Sequence, residues 1–257
     1  MRTNATDLVS VITPTYNASK YVLDTIRSVQ AQTYSNWEML IVDDCSQDNT
    51  CEIIKEEMKQ DSRIKLKELK TNGGPGHARN TAFNLAKGKY IAFLDSDDLW
   101  HPEKLTKQLA FMKEHDSVFS FTAYRIMKES GEKTEVVFRA LPTVTYKTLL
   151  LNTAIGTLTV VLNKQKLGNF QMKLFRDCSE DYGLWLSILK EGITAHGLNE
   201  ELAVYRKCEN SLSSNKFHSA KKTWNTYRKI ENKNVILSCW YLMNYSYHAI
   251  RKHAKTI

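Results

Sequence analysis

Strand-like runs alternate with stretches of helical spacing over the first 116 residues. LVSVIT (8–13) reads as a strand ended by Pro14. Residues 18–32 then place Tyr21, Val22, Ile26 and Val29 at intervals close to one helical face. WEMLIVDD (37–44) is a second strand that finishes in paired carboxylates, Asp43 and Asp44. Asp48 or Asn49 can cap the helix that follows, which carries Ile53, Ile54 and Met58. IKLKEL (64–69) alternates as an edge strand does. GGPG (73–76) turns into a helix that runs through Ala86 and stops at Gly88. YIAFL (90–94) is a fourth strand, apolar enough for burial on both faces, and Pro102 takes the first-turn position of another helix.

Such an order predicts βαβ units and a mainly parallel sheet. Ligands of these sheets bind outside the carboxyl ends of the strands. Two of those ends carry carboxylates: Asp43 and Asp44 after the second strand, and Asp95, Asp97 and Asp98 after the fourth. Both sets are expected to face one crevice.

Beyond residue 116 the pattern changes. SVFSFTAYRIM and TEVVF flank ESGEK as a hairpin would, and TLTVVLN (157–163) reads as a further strand. SEDYGLWLSILKEG (179–192) is a helix with Ser179 at its N-cap and Leu184, Trp185, Ile188 and Leu189 on its apolar side. Two short strands are expected within 193–206. No internal repeat and no low-complexity linker is visible.

Composition narrows the class. The 257 residues, 42% hydrophobic and 10% aromatic, suffice for one large folded domain with an appendage. No 18-residue apolar run is present, and MRTNATDLVSVITPTYN lacks the charged-then-apolar pattern of a signal peptide. The five cysteines (45, 51, 178, 208 and 239) include no CxxC pair and read as reduced cytosolic thiols. Charge is uneven. Residues 1–200 hold 25 Lys/Arg against 25 Asp/Glu, whereas residues 201–257 hold 11 against 3, which is the whole net charge of +8.

Three carboxylates within the four residues Asp95–Asp98 repel one another unless a cation arrives. A strand ending in Asp-x-Asp with no His or Cys beside it suits a hard divalent ion, Mg²⁺ or Mn²⁺, that shares phosphate oxygens with a nucleotide diphosphate. A solvated acidic turn leading into the helix at Pro102 is the simpler alternative, and the second carboxylate pair at Asp43–Asp44 argues against it. A strand followed by DxD also opens haloacid-dehalogenase-type phosphatases. Those continue to Thr or Val where this chain has Leu99, and usually open on the first strand rather than the fourth.

The segments VSVITPTYNASKYVLDTIRSVQAQTYSNWEMLIVDDCSQDNT, NGGPGHARNTAFNLAKGKYIAFLDSDDLWHPEKL, SEDYGLWLSILKEG and YRKCENSLSSNK follow one another between about residues 8 and 215. Together they resemble a family 2 inverting glycosyltransferase of the GT-A fold, most of all the short members from bacterial capsule, teichuronic-acid and lipopolysaccharide gene clusters. The resemblance implies an α/β fold with a mixed, mainly parallel sheet flanked by helices, spanning 1–215. Residues 216–257 would form a C-terminal helical extension.

By that resemblance Pro14, Tyr16 and Asp44 hold the nucleotide base, with Tyr16 as a stacking surface and Asp43 in a structural role. Asp95 lies near the ribose with Ser96 beside it, and Asp97 is the direct ligand of Mn²⁺ or Mg²⁺. Asp98 is expected to cap the following helix. Arg79 and Asn80 line the nucleotide side, or Arg79 only pins the acidic loop. Asp181 is the catalytic base, in the first turn of a helix whose dipole favours the carboxylate form. Glu180 contacts the acceptor or assists the cap, and both acids could merely complement the helix terminus. Tyr205 and Arg206 match a Tyr-Arg pair near the diphosphate, or are an ordinary strand-end pair. Ser211, Ser213 and Ser214 form a closing loop or a plain polar one. Where many relatives carry His two residues after the Arg, this chain has Cys208, and a neutral thiol is a poor ligand for Mg²⁺. His77, His101 and His196 fall outside any ligand spacing.

The implied activity is transfer of one sugar from a nucleotide-diphosphate sugar, UDP-sugars first, to a hydroxyl of a glycan or lipid-linked acceptor in bacterial surface polysaccharide synthesis. Processive relatives add transmembrane helices and a QxxRW motif, and this sequence shows neither. A non-catalytic nucleotide- or glycan-binding subunit on the same fold is the alternative. The basic, aromatic segment 216–257 suits a membrane interface, which would place the protein peripherally on the inner face of the plasma membrane. Packing back on the domain and a homodimer contact are its other readings. No nucleic-acid-binding module is recognised.

Overall fold

The computed structural model describes residues 7–152, 154–208 and 216–254. In chain order these form β1 (Val9–Thr15), α1 (Val22–Gln30), β2 (Trp37–Asp43), α2 (Thr50–Gln60), β3 (Ile64–Glu68), α3 (Pro75–Leu85), β4 (Tyr90–Phe93), β5 (Leu99–Trp100) and α4 (Lys104–Glu114). Then come β6 (Phe119–Lys128), β7 (Lys133–Phe138), β8 (Thr143–Val144), α5 (Tyr146–Leu150), β9 (Val161–Asn163), α6 (Lys164–Leu167), α7 (Glu180–Lys190) and β10 (Ala195–Lys207). The C-terminal part is α8 (Lys216–Asn225), a π-helical turn (Thr226–Ile230) and α9 (Val235–Ala254).

One mixed sheet runs β3-β2-β1-β4-β9-β6-β10-β5, with β7 added to β6 and β8 to β10. β3, β2, β1 and β4 are parallel, and β9 enters antiparallel between β4 and β6. β3 lies at the edge, as its alternation requires. Side chains of the inner strands divide by parity. Ile12, Leu40, Val42, Ile91 and Phe93 face α3 and α7, whereas Val9, Val11, Met39, Ile41, Tyr90 and Ala92 face α1 and α4. Both faces are buried, which is why these strands read as continuous apolar runs. On α7, Trp185 packs edge-on against Phe93, ring centroids 5.2 Å apart, and both it and Leu184 are core residues.

Four local expectations are corrected. Pro14 does not end β1, which pairs on through Pro14↔Val42 and Thr15↔Asp43. Leu94 donates to the Ile12 carbonyl on the β4 side, so position 14 faces that side too, beyond the last β1–β4 pair, Ile12↔Phe93. Its missing N–H therefore leaves no ladder bond unmade. Residues 157–159 form a 3₁₀ turn, and strand structure starts only at Val161. The two strands expected in 193–206 are one, β10, with register shifts between Leu198 and Ala203. Lastly, α4 begins at Lys104, two residues after Pro102, and the two-residue strand β5 precedes it, pairing with β10.

Candidate active site

The carboxyl ends of β2, β1 and β4 form one edge, and the predicted site residues gather around it. Pro14 lies next to the end of β1, which closes at Thr15, and Tyr16 follows, 51% exposed. Asn17 and Cys45 adopt left-handed backbone (φ 47° and 74°), uncommon for residues with side chains. The two loops they shape are laced together. Asn17 N–H donates to Ser46 Oγ, Gln47 N–H to Asn17 Oδ1, and Ala18 N–H to Thr50 Oγ1, each at 2.8 Å. Asp43 accepts from Ser46 N–H and Oγ and so serves the turn. Asp48, rather than Asn49, receives the Thr50 N–H at the start of α2.

Asp44 spends both oxygens on the Gly-rich loop, accepting from the Gly73 and Gly74 N–H groups at 2.7 Å each. Gly74 has φ 88°, which only glycine adopts freely. This contact sets the start of α3, which carries Arg79 and Asn80. Asn80 lies against the 168–178 segment, exchanging two 2.8 Å hydrogen bonds with the Met172 backbone.

Arg79 is buried and forms an ion pair with Asp95. Burial disfavours its charge, but the carboxylates of Asp95, Asp181 and Glu180 outweigh that and raise its pKa. One guanidinium thus pairs with the acidic loop after β4 and feels the charges at the acidic start of α7. Its Nε has no protein partner among the described residues.

Within the acidic loop the carboxylates differ. Asp98 is buried and accepts from the Arg206 N–H at 2.9 Å, while its own carbonyl takes the Thr25 hydroxyl. It fastens the loop to β10 and α1 and does not cap α4. Burial first, then the charges of Asp97 and Asp95, hold its carboxyl well above the usual range. Ser96 is half-buried in the turn between Asp95 and Asp97. Arg206 donates from Nε to the Asp97 carbonyl at 2.9 Å, pairs with Asp24 at 3.1 Å and lies over the Tyr21 ring. Tyr205, next on the strand, stands edge-on to Tyr124.

The Asp97 carboxylate has no salt bridge among the described residues. Burial, then the charge of Asp95, push its pKa up to about 6, partly offset by Arg206 and Arg79. A half-buried carboxylate without its own cation fits Mg²⁺ or Mn²⁺, which need only one or two protein carboxylates beside phosphate oxygens and water. No group of three His, Cys, Asp or Glu side chains able to hold a metal is found among the described residues. An ion here would take most of its ligands from the diphosphate and solvent. Cys208 lies close enough to feel the Asp97 charge, and burial raises its thiol pKa.

Glu180 and Asp181 open α7. Glu180 is buried, accepts from the Gly76 N–H at 2.9 Å and so ties the starts of α3 and α7 together; burial raises its pKa. Asp181 accepts from its neighbour's N–H, Tyr182, at 2.7 Å and from the Thr157 hydroxyl at 2.6 Å. Ser179 occupies the N-cap position without a side-chain cap bond, and its N–H donates to Thr226 Oγ1.

The sequence reading missed Asp24, Tyr21 and Thr157, because each reaches the site through a tertiary contact that no local motif announces. Ser211, Ser213 and Ser214 lie outside the described residues.

A parallel sheet with two acidic loops at one edge and an acid-led helix facing them defines the GT-A class of nucleotide-sugar transferases. The chain belongs to Glycosyl transferase family 2, whose sequence profile matches residues 10–182. It is 47% identical over 250 residues to a putative teichuronic acid biosynthesis glycosyltransferase, TuaG, of Bacillus subtilis, covering 97% of this chain and 99% of that one. It is 41% identical over 248 residues to the Escherichia coli UDP-Glc:alpha-D-GlcNAc-diphosphoundecaprenol beta-1,3-glucosyltransferase WfgD, covering 96% and 95%. Among solved structures, Staphylococcus aureus TarS 1–349 in complex with UDP-GlcNAc superposes with a TM-score of 0.72 at 23% identity, covering 96% of this chain and 72% of that one. A mannosyltransferase from Pyrobaculum calidifontis, in complex with GDP-Man and Mn²⁺, gives 0.68 at 17%, covering 98% and 76%. At such identities these two likenesses speak for the fold.

Proposed function

We propose that this protein is a metal-dependent inverting transferase that moves one sugar from a UDP-sugar to a hydroxyl of a lipid-linked or glycan acceptor in bacterial surface polysaccharide synthesis. One observation carries the reading: the acidic loop that holds Asp97 is pinned by the Arg79–Asp95 ion pair, and Arg79 feels the charges of Asp181 and Glu180 at the start of α7. The names of the teichuronic-acid and diphosphoundecaprenol relatives support the acceptor class and UDP.

Tyr16 offers the nucleobase a stacking face, and the Asp44-held loop frames its edge. Asp95 lies near the ribose, while Asp97 would hold Mn²⁺ or Mg²⁺. That ion supplies charge neutralisation of the departing diphosphate. Arg79 and Arg206 keep the acidic loop in place. Asp181 removes the acceptor hydroxyl proton as that oxygen attacks the anomeric carbon from the face opposite the diphosphate, so configuration inverts and no enzyme nucleophile is required. Cytoplasmic placement on the inner membrane face follows from such a donor and acceptor.

Thermal unfolding with UDP, GDP, CDP and dTDP, each with Mn²⁺, Mg²⁺ or EDTA, tests the donor assignment. Ligand at a hundred times its Kd stabilises by about 2.7 kcal/mol. A UDP shift that requires metal and disappears in Asp97→Ala is the expected result. No shift with any nucleotide would overturn the donor assignment and favour a non-catalytic glycan-binding subunit.

A further inference from the structure

We propose that Thr157 is the positioning residue of the base: its hydroxyl fixes the Asp181 carboxylate in the orientation that faces the acceptor. The proposal rests on the reading of Asp181 as that base.

Thr157 is buried at the start of the 3₁₀ turn Thr157–Thr159. Its hydroxyl has a single proton, donated to Asp181 Oδ2 at 2.6 Å. Asp181 Oδ1 takes the Tyr182 N–H at 2.7 Å. Each carboxylate oxygen therefore has one protein donor, and further lone pairs stay available for the acceptor hydroxyl.

The turn is anchored firmly enough to aim a carboxylate. Trp100 Nε1 donates to the Leu158 carbonyl at 2.8 Å, Gln108 Nε2 to the Thr159 carbonyl at 3.0 Å, and Thr159 Oγ1 to the Gly156 carbonyl at 2.6 Å. Trp100 follows directly on the acidic loop. The same turn therefore links the metal-holding loop of the donor side to the base of the acceptor side. Small misplacements of a reacting group are costly in rate, so a bonded rather than freely rotating carboxylate is expected at this point.

The test is steady-state kinetics of the full chain with donor and acceptor, alongside the UDP–Mn²⁺ thermal shift. Thr157→Val and Thr157→Ala should each lower kcat about ten- to a hundredfold, a part of the roughly 10²–10⁴ that a general base contributes, because the base itself stays. Donor KM and the nucleotide shift should stay at wild-type values. Thr157→Ser, which keeps the hydroxyl, should stay within about threefold of wild type. In the Asp181→Asn background, Thr157→Val should add nothing, since the hydroxyl acts through that carboxylate. The proposal is overturned if Thr157→Ala leaves kcat unchanged, or if Thr157→Ser falls as far as Thr157→Ala, which would make the methyl group the important part. If Asp181→Asn itself keeps wild-type kcat, the base assignment fails instead, a result separable from either of the others.

Discussion

At neutral pH Asp97 lowers the stability of the metal-free protein. Its carboxyl titrates near 6 rather than near 3.8, because burial and Asp95 disfavour the charged form. The folded state therefore binds more protons than the unfolded chain between those values, and stability falls as pH rises through that window. The cost is complete above about pH 6 and absent below about pH 4. Asp97→Asn should stabilise the metal-free protein at pH 7.5 by about 1–3 kcal/mol, with the gain vanishing near pH 4. Calorimetric unfolding at the two pH values checks this, and the variant should also lose any metal-dependent shift. Cys208 gives a second residue-level expectation. Imidazole is a better ligand than a neutral thiol for Mn²⁺, so Cys208→His should lower the Mn²⁺ concentration for half-maximal nucleotide stabilisation in a titration by thermal shift. Lys104 is a third case. It is fully buried over the Trp100 ring at 3.9 Å, its Nζ has no hydrogen-bond partner among the described residues, and burial pushes its amine well below the usual range. The placement of Asp97 after a strand and of Asp181 in the first turn of a helix was legible in the sequence, because each follows or opens a clear apolar run. Thr157 and Asp24 were not, since a hydroxyl or carboxylate acquires its partner only when the chain closes over 24 residues in one case and 182 in the other.

At the level of elements, the contact between the N-termini of α3 and α7 sets where Glu180 and Asp181 stand. A Cβ on Gly76 would lie 2.5 Å from the Glu180 carboxylate. Gly76→Ala should therefore turn the Glu180 carboxylate away and break its bond to the residue-76 N–H, with a destabilisation of about 1–3 kcal/mol and a loss of activity beyond what stability explains. Urea unfolding alongside turnover at a temperature where the variant stays folded measures both. The sequence predicted β2, β3, the first part of β1 and the helical character of α7 well, since apolar periodicity alone defines them. It misread Pro14 as a terminator because strand pairing on one side only, which makes that proline harmless, is a tertiary fact. It split β10 in two at a polar stretch, where the observed strand instead absorbs Asn199–Glu201 as an irregularity beside β6. Ser179 supplied the expected helix start, yet the contact that seats α7 comes from Thr226, forty-seven residues on.

The C-terminal extension joins the molecule at that point and has two different faces. Tyr227 and Ile230 are buried; the Tyr227 hydroxyl donates to the Leu150 carbonyl at 2.8 Å, and Ile230 packs against Gly183 of α7. On α9, Ser238, Tyr241 and Tyr245 turn inward, with the Tyr245 ring 6.0 Å from Tyr182, the residue next to Asp181. Ile236, Trp240, Met243 and Tyr247 recur at helical spacing on the outer face and are each more than half exposed. No described helix is long and apolar enough to cross a membrane. Residues 216–257 carry nine Lys/Arg against a single acid, Glu231. Apolar and aromatic side chains on one face of a basic segment are what an anionic lipid surface binds, with about 1 kcal/mol per cation near the surface. Attachment there would bring a lipid-linked acceptor to α7, the helix that carries Asp181. The protein should therefore co-sediment with vesicles of phosphatidylcholine and phosphatidylglycerol (70:30), less so at high salt, and not with phosphatidylcholine alone. Ile236→Glu/Trp240→Glu should abolish sedimentation, keep the UDP–Mn²⁺ shift and slow transfer only to acceptors embedded in vesicles. If the wild type ignores both vesicles and light scattering gives a dimer that this double variant dissociates, the outer face of α9 is a contact between copies of the chain, and the acceptor reaches Asp181 by diffusion through water.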